Sequence, residues 1–226
     1  MNTKLTPGKP ALTIAALKQE AKRFLAAFSK EHPELFGITD GKAVGTYVEE
    51  KFNVYLRERY EYQSGNAAVG IDFPALEVDV KATSVRQPQS SCPFRSAEQK
   101  VYGLGYNLLV FVYEKIDDAP RKTAVLDFKN VVFVRADKTA DFQTTKGILG
   151  ILDREGNAED IVAFLEERNL FLDEVGRMHL AEKIMHERPC LGYLTISNAL
   201  QWRLQYGRVI KLASDGKTEG VENVLA

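Results

Sequence analysis

The feature that most constrains this chain is the stretch Gly70-Ile71-Asp72-Phe73-Pro74-Ala75-Leu76-Glu77-Val78-Asp79-Val80-Lys81-Ala82-Thr83. Leu76, Val78, Val80 and Ala82 alternate with Glu77, Asp79, Lys81 and Thr83. Side chains of a strand point to opposite faces with a period of two, so one face is apolar and the other ionic. The pattern predicts a hairpin over residues 69–84, with the end of one strand, a turn at Pro74 and a second strand. Asp72, just before the turn, can point back to the ionic face and bring three acids and a lysine together. Like charges at that range repel, and stripping them of water is costly. A divalent cation removes the conflict, because Mg²⁺ is held by one or two carboxylates together with water and phosphate oxygens.

The rest of the chain predicts an α/β fold, a central mixed β-sheet flanked by helices. Ile14, Leu17, Ala21, Phe24, Leu25 and Phe28 recur at helical spacing, and a second stripe (Val44, Tyr47, Val48, Phe52, Tyr55, Leu56) predicts a helix over residues 44–60. Residues 87–93 are polar and proline-punctuated and read as a loop. A short helix from Ser96 to Leu104 follows, ended by Gly103 and Gly105, then an apolar strand over 107–115 and one or two strands over 123–135. Beyond Asp137 the pattern is mainly helical, with helices expected over 160–169, 173–187 and 198–206 and a short strand over 208–212. Two regions result: residues 1–136, the N-terminal helices and sheet core, and residues 137–226, mainly helical and packed on that core as one unit.

Asp72, followed by Asp79-x-Lys81 on the next strand, resembles the signature of PD-(D/E)xK phosphodiesterases, and especially of type II restriction endonucleases. The resemblance covers roughly residues 44–115, and Gly45-x-x-x-Glu49-x-x-Phe52 resembles the helical motif that supplies a further acid in many relatives. It implies a restriction-endonuclease-like core and a site-specific deoxyribonuclease that hydrolyses phosphodiester bonds of double-stranded DNA with Mg²⁺. Asp72 and Asp79 would hold the ion, Lys81 would orient or help deprotonate the attacking water, and Glu49 would add an acid. Glu77 shares the ionic face and competes with Asp79 as ligand; Asp79, two residues before Lys81, is preferred. Ile71 stands where the signature has proline. A homodimer is implied by analogy, since two-fold protein symmetry matches a palindromic site. The rivals are a structure-selective repair or recombination nuclease and a non-catalytic DNA-binding module of the same fold.

Two segments offer DNA contacts. Arg86, Gln87, Gln89, Ser90, Ser91 and Arg95 follow directly from the active strand, and all can donate to phosphates or base edges. In the expected helix 198–206, Asn198, Gln201 and Gln205 share a face with Arg203 and Arg208 nearby, although Leu200, Trp202 and Leu204 suit a helix that closes the core. A formal net charge of −1 excludes a protein that coats nucleic acid non-specifically and suits contacts confined to a cleft. Cys92 and Cys190, without metal-ligand spacing, fit neither a disulfide framework nor a zinc site. No membrane-length apolar run and no nucleotide-cofactor motif is present, so a cytoplasmic location is expected.

Overall fold

The computed structural model describes residues 8–28, 30–65, 70–92, 95–197 and 202–226. The first helix, α1 (Ile14–Ala27), starts where the Thr13 side chain accepts from Ala16 N, and it buries Leu17, Ala21 and Phe24. Glu20 is buried on the same face because its carboxylate accepts from the Tyr55 and Tyr60 hydroxyls and from Arg23. After the short strand β1 (Glu31–His32), helix α2 runs from Gly41 to Arg57. It begins a turn earlier than the apolar stripe suggests, because Asp40 caps the backbone at Lys42 N.

The predicted hairpin is shorter than its pattern. Gly70 adopts φ 64° and Pro74–Leu76 form a 3₁₀ turn, so among the described residues the first strand reduces to Phe73, which exchanges backbone hydrogen bonds with Val78; residue 69 lies outside the described residues. Strand β2 then spans Val78–Ser84. Strand β3 (Gln89–Cys92) and helix α3 (Gln99–Tyr102) precede the two long strands, β4 (Asn107–Asp118) and β5 (Thr123–Val134). Helices α4 (Phe142–Leu152), α5 (Ala158–Glu167) and α6 (Glu174–His186) follow. Strands β6 (Thr195–Ile196) and β7 (Trp202–Gln205), helix α7 (Gly207–Asp215) and strand β8 (Val221–Asn223) complete the chain.

The central sheet has the order β1-β5-β4-β2, with β8 also paired to β5. Strand β2 runs parallel to β4 and the other pairs are antiparallel, so the sheet is mixed, as expected. Over residues 107–113, strand β4 is buried on both faces. Leu109, Phe111 and Tyr113 pack with Val78, Val80 and Ala82 against α1 and α2, whereas Leu108, Val110 and Val112 face β6, β7 and α7. Phe52 and Phe111 meet edge to face with ring centroids 5.0 Å apart, and each fully buried aromatic of this kind stabilises the fold by roughly 1.5–3 kcal/mol. A third apolar cluster joins α3 to α4, α5 and α6. No helix of the described residues is long and apolar enough to cross a membrane.

Three expectations are corrected. Residues 89–92 form β3 rather than loop, because Gln89–Cys92 pair antiparallel with β7. The helix expected over 198–206 is a strand where it is described: Trp202 and Leu204 are buried and Arg203 and Gln205 exposed, a period of two. Residues 198–201 lie outside the described residues. The strand expected over 208–212 belongs to α7, whose Val209 and Ala213 bury one turn apart and whose end is set by Gly216 at φ 64°. Helix α4 carries Gly147 and Gly150 and is capped by the buried Asp141, whose carboxylate also holds Ile196 N.

Candidate active site

Strand β2 lies at the sheet edge, with β4 on one side only. An edge strand leaves alternate backbone N–H groups without a ladder partner, and buried N–H groups must be satisfied. Here two acids do so. Asp72 Oδ2 accepts from Val80 N at 2.8 Å, and Glu49 Oε1 accepts from Ala82 N at 2.9 Å. Glu49 reaches the strand because α2 comes very close to it at Gly45, where a Cβ would sit 2.9 Å from the Ala82 carbonyl oxygen.

Asp79 and Lys81 project from β2 to the other face of the sheet, where the Lys81 Nζ lies 2.8 Å from Asp79 Oδ2 and 3.2 Å from the Val80 carbonyl oxygen. The Asp79 side chain is only 5% exposed. Burial raises its pKa to about 6, Lys81 pulls it back down, and Asp72, within hydrogen-bonding range, pushes it up again. Burial likewise raises Glu49 to about 7 against the pull of Lys81 and the Ala82 N–H, with Asp72 and Asp79 adding to the rise. For Lys81 burial favours the neutral amine, but Asp79, Glu49 and Asp72 together outweigh it and hold the pKa above its ordinary value. The site is thus an ammonium surrounded by three carboxyls, two of them reluctant to ionise.

The structure brings Asp72, Asp79, Lys81 and Glu49 together. Glu77 is not among them. It ends the 3₁₀ turn in the left-handed region (φ 51°), is exposed, and uses its carbonyl to hold Asn107. Among the described residues no three Asp, Glu, His or Cys side chains form a ready-made metal cage. The hard oxygen pair Asp72 and Asp79 nevertheless suits Mg²⁺, which needs only one or two carboxylates and completes its shell with water and phosphate. Burial, with Asp72 beside it, disfavours the ionised form of Asp79.

The DNA-contact candidates divide. Arg86 and Gln87 are exposed in the turn after β2, with Arg86 4.0 Å from Glu114. Gln89, Ser91, Arg203 and Gln205 sit on paired strands β3 and β7. Ser90 points inward and hydrogen-bonds the buried Tyr206 hydroxyl. Arg95 lies beside the Asp72 loop, its Nη2 3.3 Å from where a Gly70 Cβ would stand. Arg208 stacks on Phe142, its guanidinium 3.5 Å from the ring centroid. Asn198 and Gln201 lie outside the described residues. Sequence reasoning missed Thr83, whose hydroxyl joins β2 to β3 at Gln89. Its place on the ionic face was visible, but its partner depends on a pairing that spacing does not show. Cys92 is buried in the core, and burial pushes its thiol up, away from a nucleophilic role.

A mixed sheet flanked by helices, with an aspartate before an edge strand, Asp-x-Lys on that strand and a helical glutamate at its amides, defines a nuclease of the PD-(D/E)xK class. A family model described as type II restriction enzyme NspV matches residues 11–223. The type II restriction enzyme NspV of Nostoc sp. (strain ATCC 29411 / PCC 7524) is 58% identical over 215 residues, covering 94% of this chain and 96% of the relative. No solved structure matches the chain significantly. The chain belongs to the NspV family of type II restriction enzymes, a family of site-specific deoxyribonucleases.

Proposed function

We propose that the chain is a Mg²⁺-dependent, cytoplasmic endonuclease that hydrolyses phosphodiester bonds of double-stranded DNA within a defined sequence and acts as a homodimer. The observation that carries this reading is the convergence of Asp72, Asp79 and Lys81 at the edge of β2. Asp72 and Asp79 would hold the ion, with Glu49 as a neighbouring acid. When bound, the ion supplies Lewis acidity at the phosphate and lowers the pKa of water. The chain's own groups do the rest. Hydrolysis joins a water oxygen to phosphorus, breaks the bond to the leaving oxygen and delivers a proton to that oxygen. Lys81 is charged at neutral pH, so it acts by donating hydrogen bonds and offsetting negative charge on the phosphate rather than as a base. Its grip on Asp79 aims the Nζ at the site. Arg86, Gln87, Gln89, Ser91, Arg95, Arg203, Gln205 and Arg208 are proposed DNA contacts. Ser90, turned inward to Tyr206, serves as support.

The test is digestion of phage DNA by purified protein with Mg²⁺ or with EDTA, beside Lys81→Ala. Discrete fragments that vanish in EDTA and in the variant are expected. A smear would overturn sequence specificity, and no cleavage with any divalent ion would overturn the catalytic claim. Sedimentation of the purified protein checks the dimer.

A further inference from the structure

Strands β3, β7 and β6 form a small antiparallel sheet in register Gln89↔Gln205↔Thr195, Ser90↔Leu204↔Ile196, Ser91↔Arg203 and Cys92↔Trp202. Opposed residues of an antiparallel pair point the same way, and neighbours along a strand alternate. The inner face is therefore Ser90, Leu204, Ile196, Cys92 and Trp202, whose apolar members belong to the core beneath. The outer face presents Gln89, Gln205, Thr195, Ser91 and Arg203. Ser91, Arg203 and Gln205 are exposed, and Gln89 and Thr195 half-buried.

An outward sheet face is ordinarily polar, but among the described residues this one carries no carboxylate, no lysine and no apolar side chain. It is a grid of amides and hydroxyls with one guanidinium, the groups that match base edges: glutamine to adenine and arginine to guanine in the major groove. A two-stranded β-ribbon fits that groove. Its charge is complementary to DNA, and it is continuous with the site. Thr83, two residues after Lys81, clasps β3 through one hydroxyl that accepts from Gln89 N at 2.9 Å and donates to Gln89 O at 3.1 Å. Tyr206, next to Gln205, bonds Ser90 behind the ribbon.

We propose that the outer face of β3 and β7 reads bases in the major groove, with Gln89, Ser91, Arg203 and Gln205 as the specificity-determining residues. This rests on the nuclease reading above. The test begins by mapping the sites cut by the wild-type protein from sequenced fragment ends. Cleavage of duplexes carrying that site, and each single-base-pair change in it, is then measured for wild type, Arg203→Ala, Gln205→Ala and a control, Arg121→Ala. Arg121 lies in the turn between β4 and β5, where it pairs with Asp118 and Glu31. Each ribbon variant should cut the mapped site on the order of 10- to 100-fold more slowly and lose its penalty at one base pair by a similar factor, with the other penalties unchanged. The control should match wild type. Arg203→Lys, which keeps the charge but not the bidentate fork, should lose discrimination as well, and thermal unfolding checks that every variant is folded. Unchanged discrimination in both alanine variants, at full or uniformly lowered rate, would overturn the inference while leaving the nuclease reading intact. Absence of discrete fragments from the wild type would remove that reading instead, and the inference with it.

Discussion

Replacing Glu49 with glutamine isolates the cost of ionising an acid beside two others. Burial, the largest influence, raises its pKa from 4.5 to about 7. Between those values the folded chain keeps a proton that the unfolded chain has released. Stability therefore falls as pH rises through this window, the reverse of a carboxylate with a depressed pKa. Integrated from pH 5 to pH 8, Glu49 accounts for a loss of about 2 to 3 kcal/mol, at about 1.4 kcal/mol per pKa unit. Asp79 shifts in the same direction and adds a slope of its own, centred lower because its pKa reaches about 6. Lys81 adds none here: its pKa is raised, so its contribution is fully present below the unfolded value of 10.5 and is lost only above it. Urea unfolding in EDTA, followed by the fluorescence of Trp202, the chain's single tryptophan, reads the difference. With a slope of about 2–3 kcal/mol per molar urea, the wild-type midpoint should fall by about 1 M from this group alone. The amide oxygen of Glu49→Gln can still accept from Ala82 N, so the variant should fold and show a pH dependence shallower by the same 2 to 3 kcal/mol. Identical pH dependence in the two proteins would refute the claim that Glu49 is held uncharged by its surroundings.

Four further outcomes are expected. Lys81→Ala should slow single-turnover cleavage on the order of 10²- to 10⁴-fold with binding of the duplex retained; loss of binding alone would contradict a role in the chemical step. Gly45→Ala sets two effects against each other: helix propensity favours alanine by about 1 kcal/mol, whereas a Cβ 2.9 Å from a backbone carbonyl costs about 1–3 kcal/mol. Thermal melting should show net destabilisation, with slower cleavage as Glu49 is displaced; a stabilised, fully active variant would contradict the close approach. Mg²⁺ at a hundredfold excess over its Kd should stabilise the protein by about 2.7 kcal/mol at pH 8 and by less at pH 5, where Asp79 is more protonated, and the effect should vanish in Asp79→Asn. Thr83→Val keeps the side-chain shape but removes both bonds to Gln89, so it should cost about 1–3 kcal/mol in denaturant unfolding and slow cleavage; wild-type stability would count against the clasp.

Much of the fold was legible because local periodicity and burial agree. The stripes of α1 and α2 and the apolar run of β4 bury as their spacing implies. The core of the site was legible for a related reason. Asp72, Asp79 and Lys81 lie within ten residues, so one turn and one strand bring them together. Glu49 is farther away, and the glycine one helical turn before it was the trace of its close approach. What failed depended on chain reversal or distant partners. Alternation counted Glu77 with the ionic face, but the 3₁₀ turn at Pro74 leaves Glu77 in the left-handed region just before the strand starts, so the count begins one residue late. Residues 202–205 carry a period-two pattern within a segment that also fits helical spacing, and only pairing with β3 decides between them. The strand expected over 208–212 falls at a place where tertiary burial of Val209 and Ala213 makes a helix.

The position of the site on an edge strand joins stability to function. The unpaired amides of Val80 and Ala82 need acceptors whether or not the protein cuts anything, and two carboxylates supply them. Neutral side chains would satisfy those amides at lower electrostatic cost, because Asp72 raises the pKa of both Glu49 and Asp79. Structural need therefore accounts for acceptors at these positions but not for charge. Charge in excess of what the backbone requires, concentrated around one lysine and beside a ribbon rich in amides, is what a cation and a phosphodiester together would neutralise. Stability in the absence of ligand is lowered by the same groups that would bind it, which is the ordinary relation between a preorganised site and its fold.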